Sequence, residues 1–483
     1  MTHLGIDLGT SGVKLLLMAE DQAVIGSASA PLTVSRPHEG WSEQDPADWI
    51  AATRAAAALL RARHPAEFAA IRGIGLSGQM HGATVLDAGD AVLRPCILWN
   101  DTRAHREAAA LGADPRFRAI SGNIVFPGFT APKLAWLRAH EPAVFDRVAK
   151  VLLPKDYLRL WLTGEHVSEM SDAAGTAWLD TGARDWSEDL LAATGMDRDR
   201  MPRLVEGTAP SGQLRAEMAA EWGITGPVIV AGGAGDNAAA ACGLGTVAAG
   251  AAFVSLGTSG VLFAANDAYL PRPESAVHAF CHALPGRWHQ MGVILSATDA
   301  LNWLARVTGA DPAALAAEAG AALRAPSGVT FLPYLSGERT PYNDAAIRGA
   351  FTGLGQETDR AALSRAVMEG VAFAIRDNLE ALRAAGTELT RVTATGGGAR
   401  SRLWLAMIAT TLGIPVDLPA DGDYGAAFGA ARLGLIAATG AAPEAVLTPP
   451  AQADTILPDG ALSGAFEDAY HRYRALYPAL RPT

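Results

Sequence analysis

The sequence predicts an α/β protein made of two halves that begin alike and face each other across a cleft. Three observations carry this. The chain has 483 residues, too many for one ordinary core and enough for two or three domains. The hexapeptide LGTSGV stands at Leu8–Val13 and again, letter for letter, at Leu256–Val261. Around each copy an apolar stretch leads into the glycine turn and another leaves it, with a further strand and a helix downstream, as internal duplication would give.

Each element follows from its residues in turn. His3–Asp7 and Val13–Ala19 read as short strands joined by the first turn, and residues 23–34 alternate loosely as a third. Asp45 is a good N-cap and Pro46 a good first helical residue, so PADWIAATRAAAALLRAR predicts a helix to about Arg63, followed by a strand at Ile71–Leu76. From about Asn100 to Gly226 short helices, turn signals and tryptophans suggest an elaboration that recognises a specific substrate. A strand at Val228–Ala231 then reaches a glycine-rich bend and the helix that opens with Asp236. The second half repeats the opening with strands at Ala251–Leu256, Val261–Ala265 and Trp288–Ile294 and a helix from about Ser296. Thr358–Ala385 is a long amphipathic helix, Val392–Thr395 a strand, and helices follow at Arg400–Leu412, Asp423–Leu435 and from about Ser463. The glycine- and alanine-rich stretch Gly243–Ala252 sets the boundary, giving domains 1–245 and 246–483.

Composition excludes several classes of function. Net charge is −11 with no basic stripe, which speaks against nucleic acid as a partner. No run of about 20 apolar residues suggests a membrane span, and no signal-like segment opens the chain, so a cytoplasmic protein is expected. Cys96, Cys242 and Cys281 are widely spaced without a CxxC and read as buried fillers. An acidic protein that binds a polyanion must do so with backbone amides, helix N-termini and a metal ion.

The glycine loops fit that requirement. A turn with glycines flanking Thr and Ser carries no bulk to repel an anion, and its amides and hydroxyls can converge on phosphate. One copy alone reads equally well as a tight hairpin; two, at the heads of two halves, suit a nucleoside triphosphate held from both walls. Lys14 is either a cation near those phosphates or a solvated lysine. There is no GxxxxGK[ST], and Gly396–Gly398 in TATGGGARS do not complete GxGxxG, so neither a P-loop nor a dinucleotide fold is indicated. These glycines instead suit a helix-terminal phosphate or a ribose and base. Asp7 ends the first strand where a carboxylate could hold magnesium. Asp236 either caps its helix or presents a carboxylate at the mouth of the sheet. Gln79, Met80 and His81, between glycines, make a hydrogen-bonding set for a polyol, although a lone histidine can equally be structural. Phosphoryl transfer to an alcohol needs a proton acceptor, a metal and donors for the phosphates, and Asp236, Asp7 with magnesium and the two turns supply that combination.

GIDLGTSGVK, SGQMHGA, WNDTR, GFTAPKLAW, PKDYLR, SDAAGT, GDNAA, SLGTSG, FLPYLSGERTP and GGGARS together resemble the FGGY carbohydrate kinases over nearly the whole chain. That resemblance implies two actin-like (ribonuclease H-like) ATPase domains with sugar and ATP meeting between them. It places the catalytic base on Asp236, the substrate pair on Met80 and His81 with Gln79 and Asn237 beside them, and magnesium near Asp7 and Asp236. It further places the phosphate turns on Thr10 and Ser11, with Lys14 at the end of the same stretch, and on Gly257 and Thr258, and the nucleotide loop on Gly396, Gly397, Gly398 and Ala399. The QMHG stretch points to D-xylulose, phosphorylated at its C5 hydroxyl, as partner to ATP. Another ketopentose or polyol, or an actin-like ATP-driven binding protein, are the alternatives, and a homodimer is left open. Tyr424, in GDYGAAF near the nucleotide loop, departs from the pattern and bears on how the adenine is held.

Overall fold

The computed structural model describes all residues except 421, 423, 482 and 483, so the expected start of a helix at Asp423 lies outside the described residues. Its first half is built on β1 (Thr2–Leu8), β2 (Gly12–Ala19), β3 (Val24–Pro31), β4 (Ile71–Gly78), β5 (Pro210–Gln213) and β6 (Ile229–Ala231), ordered β5-β6-β4-β1-β2-β3. A short strand, Ala234–Gly235, continues alongside β4. The second half uses β7 (Ala252–Leu256), β8 (Gly260–Asn266), β9 (His278–Cys281), β10 (Trp288–Ile294), β11 (Val392–Thr395), β12 (Val416–Pro419) and β13 (Gln452–Ile456), ordered β9-β10-β8-β7-β11-β12-β13. The directions of β3-β2-β1-β4-β6 match those of β10-β8-β7-β11-β12 strand for strand: a meander of antiparallel pairs, then two parallel strands. Beyond β6 and β12 each sheet ends in an antiparallel edge strand, but β5 precedes its neighbour in the chain and β13 follows it.

The main helices are α1 (Pro46–Arg63), α2 (Asp236–Leu244), α3 (Thr298–Thr308), α4 (Arg360–Ala384), α5 (Arg402–Leu412), α6 (Ala426–Thr439) and α7 (Ser463–Leu480). The Asp45 carboxylate accepts the Ala47 N–H at the start of α1, which buries Trp49, Ala56 and Leu60 against the first sheet. On the opposite face lies α6, contributed by the far end of the chain. There the contact is nearly side-chain free: a Cβ on Gly5 or Gly75 would overlap the carbonyl oxygens of Ala427 or Ala430. In the same way α6 crosses α2, with Gly429 against the Ala239 carbonyl. The elaboration between residues 100 and 205 packs onto the second sheet, where Phe117, Phe129 and Trp178 share a core with Phe253, Phe263 and Phe280. All three cysteines are free and buried. No described helix is long and apolar enough to cross a membrane.

The repeated hexapeptide does not fold identically. In the first hairpin Leu8 pairs with Val13; in the second Leu256 pairs with Gly260, a register one residue shorter. A one-residue slip reverses the facing of one strand. Val13 accordingly shares a core with Leu8, whereas Val261 lies against a different core from Leu256.

Candidate active site

The first turn is fixed from beneath by a chain of side chains. Trp99 Nε1 donates to Thr10 Oγ1 (2.9 Å), which donates to Gln79 Oε1 (3.0 Å). Gln79 Nε2 and Trp49 Nε1 both donate to Gln44 Oε1, and Gln44 Nε2 donates to the Thr10 carbonyl (2.8 Å). Gln79 is 3% exposed, so its amide serves the turn from inside. Because the peptide group is planar and trans, a carbonyl held from below turns the following N–H the opposite way. Ser11 is exposed at the tip, and Lys14 stands directly across the ladder from Asp7, whose Oδ1 accepts from Ser77 Oγ (2.9 Å).

The second turn is held from behind by α3. The Gly257 carbonyl accepts from the Thr298 N–H (2.9 Å) and hydroxyl (2.8 Å), and the Thr258 carbonyl from the Ala297 N–H (2.8 Å). The N–H groups of Thr258 and Ser259 therefore point away from α3, as an anion site requires. Gly396, at φ 87°, and Gly398 lie so close to Leu256 that a Cβ on either would collide with it, while a Cβ on Gly397 would meet nothing. Ala399 continues this turn. A cavity of 600 Å³ opens beside it, lined by Thr298, Leu301, Asn302, Gly397, Ser401 and Trp404. Tyr424 lines a separate cavity of 490 Å³ on the other side of Gly396.

Asp236 begins α2 and is half-buried. Its Oδ1 accepts from the Asn237 N–H (2.7 Å) and side-chain amide (3.0 Å), and Oδ2 has no hydrogen-bond partner among the described residues. Burial, then the charge of Asp7, pushes its carboxyl up to about 6. No cluster of three or more His, Cys, Asp or Glu with metal-binding geometry occurs among the described residues. The two carboxylates Asp7 and Asp236 nonetheless feel each other's charge, which suits a magnesium ion that takes its remaining ligands from phosphates and water.

His81 sits in a γ-turn, φ 70°, with the Gly82 N–H bonded to the Met80 carbonyl (2.9 Å). Such backbone is rare outside glycine and is kept where the surroundings enforce it. Here Lys133 Nζ (2.8 Å) and Thr130 Oγ1 (3.1 Å) both donate to the His81 carbonyl, and the ring stacks on Phe129. Nδ1 lies 2.6 Å from the Gly175 carbonyl, so it carries the proton and Nε2 is an acceptor. Burial pushes the imidazole down to about 3 and keeps it neutral. Met80 packs against Gly175 and Gly235, where a Cβ would stand 2.9 Å from its Cε and 3.0 Å from its Cγ. His81 lines a cavity of 170 Å³ with Trp99, Asp101, Phe126, Phe129 and Arg339. WNDTR, GFTAPKLAW and GERTP carried the resemblance, but sequence reasoning gave none of their residues a role; the signal was the motif, and the missing information was which strand ends meet.

Two duplicated sheets, each with a glycine turn at its head, and an acid and a sugar-sized cavity near them define a carbohydrate kinase. The chain belongs to the FGGY family of carbohydrate kinases: residues 2–243 match the N-terminal domain of that family and residues 252–438 its C-terminal domain. Over 483 residues it is 49% identical to the xylulose kinase of Escherichia coli K12, covering 99% of each chain. Over 437 residues it is 52% identical to that of Klebsiella pneumoniae, covering 90% of each. A crystal structure of a "xyloylose kinase" from Brucella ovis superposes with a TM-score of 0.99 at 69% identity, covering 99% of both chains.

Proposed function

We propose that this enzyme transfers the γ-phosphoryl group of ATP to the C5 hydroxyl of D-xylulose, with Asp236 as general base. The observation that carries the reading is Asp236 itself, a half-buried carboxylate at the start of α2 with one oxygen held by Asn237, the other without a hydrogen-bond partner among the described residues, and a pKa raised toward neutrality. The identity to xylulose kinases supports the choice of sugar. In this mechanism the sugar lies against Met80 and His81, whose neutral Nε2 accepts from a sugar hydroxyl. Asn237 orients the base; Gln79 acts through Thr10. Thr10, Ser11 and Lys14 from one wall and Gly257 and Thr258 from the other bind phosphates, while Gly396–Ala399 and the 600 Å³ cavity take the adenosine. Magnesium, held by Asp7 and Asp236, would offset the charge on the transferred group. Asp236 removes the hydroxyl proton as the oxygen attacks the γ-phosphorus and the bond from that phosphorus to the bridging oxygen breaks to release ADP, a direct, in-line transfer. We assign the reaction to the cytoplasm, where its nucleotide is supplied.

The test is ADP release with magnesium and ATP over D-xylulose, D-ribulose, L-ribulose, glycerol and gluconate, against a no-sugar blank. A preference for D-xylulose of about tenfold, near 1.4 kcal/mol in transition-state binding, is expected. Asp236→Ala should abolish transfer and leave ATP binding intact; near-normal turnover would remove Asp236 from the base role.

A further inference from the structure

The sugar cavity is walled by the first half of the chain, with His81, Trp99, Asp101, Phe126 and Phe129, except for one residue: Arg339 reaches in from the second half. Its guanidinium lies 4.6 Å over the Phe126 ring, and Nη1 donates to His278 Nε2 at 3.3 Å. No described carboxylate makes an ion pair with it. The charge of its chain neighbour Glu338 acts on it, but the two make no ion pair: Glu338 Oε1 is taken by the N–H groups of Leu295 (3.2 Å) and Arg339 (2.7 Å), and its buried Oε2 has no partner among the described residues. The Asp101 carboxylate is likewise occupied by Arg103 and the Ser42 N–H. A half-buried guanidinium without a direct ion pair is costly unless something completes its hydrogen bonds. Arg339 lines the cavity, and its N–H groups can only donate.

We propose that Arg339 is a sugar-binding residue, donating to oxygens at the end of the substrate remote from the transferred phosphoryl group. This rests on the reading of the site given above. The placement at the remote end follows from the lining: Arg339 shares the cavity with His81, whereas neither Asp236 nor Asp7 lines it. The cavity wall holds an acceptor at His81 Nε2 and a set of donors at Arg339, the complement that a neutral ketose requires. As the second half's contribution to that wall, Arg339 also makes sugar affinity depend on how closely the two halves meet.

The experiment compares Arg339→Gln and Arg339→Lys with the wild type in steady-state kinetics for D-xylulose and for ATP, with thermal melts alongside. Loss of charge-assisted hydrogen bonds predicts a rise in the sugar KM of about tenfold or more for Arg339→Gln. Arg339→Lys, which keeps the charge but not the planar fork and guards against a folding defect in the first variant, should rise less. ATP KM and sugar-independent ATP hydrolysis should stay within about twofold, a split that a merely structural role would not produce. A sugar KM unchanged in both variants, or sugar and ATP KM rising together, overturns the proposal. The wild-type rate with D-xylulose separately decides the underlying reading.

Discussion

Asn237→Ala tests whether Asp236 is poised as a base by its neighbour. The Asn237 side-chain amide donates to Asp236 Oδ1 at 3.0 Å, favouring the charged carboxylate, and it opposes burial and the Asp7 charge, which favour the neutral acid. Removing the amide must therefore raise the carboxyl pKa above about 6. A hydrogen bond to a charged group contributes about 1.5–3 kcal/mol, and water entering from the cleft would recover roughly half, leaving a shift of about 0.7 pH units. A base works only when deprotonated, so activity lost on acidification would begin to fall at higher pH. With a limb centred on 6, kcat/KM would drop about threefold at pH 6 and hardly change at pH 8. The assay is kcat/KM for D-xylulose from pH 5 to 8.5, with wild type and variant at the same saturating magnesium and ATP, so that the difference between the limbs is read. A limb that moves to lower pH would refute the electrostatic reasoning. A loss independent of pH would show instead that Asn237 contacts the sugar.

Three further substitutions separate the parts of the site. Gly175→Ala would place a Cβ 2.5 Å from His81 Cε1 and 2.9 Å from Met80 Cε, so the imidazole must move; the sugar KM should rise about tenfold with ATP KM unchanged, at a stability cost of about 1–3 kcal/mol. Gln79→Ala should weaken the first phosphate turn, raising ATP KM several-fold while the sugar KM stays within about twofold; the reverse pattern would place Gln79 on the sugar after all. Gly429→Ala would drive a Cβ into the Ala239 carbonyl, so thermal melts should show a loss of several degrees or more, equivalent to at least about 2 kcal/mol. An unchanged Tm would mean that α6 and α2 can separate freely.

Much of the fold was legible because apolar strands and glycine turns repeat in both halves: β1, β2, β3, β10 and β11 and the helices α1, α4 and α7 match the expected spans closely. The strands β5, β9, β12 and β13 were not legible. Pro210–Gln213 and Gln452–Ile456 are edge strands whose polar, half-exposed residues carry no periodic signal, since pairing on one side sets them in place. Nor could the sequence show that α6 serves the first sheet. Its residues Ala427, Ala430 and Gly434 read as an ordinary alanine-rich helix, and only the facing Gly5, Gly73 and Gly75 reveal two surfaces shaped for backbone contact. At the site, glycine turns and isolated acids announce themselves by type and place. Gln79, adjacent to two substrate candidates, reads as a third until the network through Gln44 and Thr10 shows it facing inward.

The repeated LGTSGV carries the same lesson into mechanism. Identical residues close the first hairpin between Leu8 and Val13 and the second between Leu256 and Gly260, so the six residues do not choose the register themselves. What differs is the support. The first turn rests on side-chain amides and an indole, from Gln44, Gln79 and Trp99; the second rests on the backbone at the start of α3. Two of those side chains, Gln79 and Trp99, come from segments that also bring His81 and the wall of the sugar cavity into place. A displacement of Trp99 at the cavity wall would reach the first turn through a single hydrogen bond, to Thr10, whereas the route to the second runs from Arg339 through Glu338, whose Oε1 accepts from the Leu295 N–H, to the start of α3. The two turns thus share a sequence and, on the reading proposed above, a ligand, but their different supports connect them to the sugar cavity by different routes.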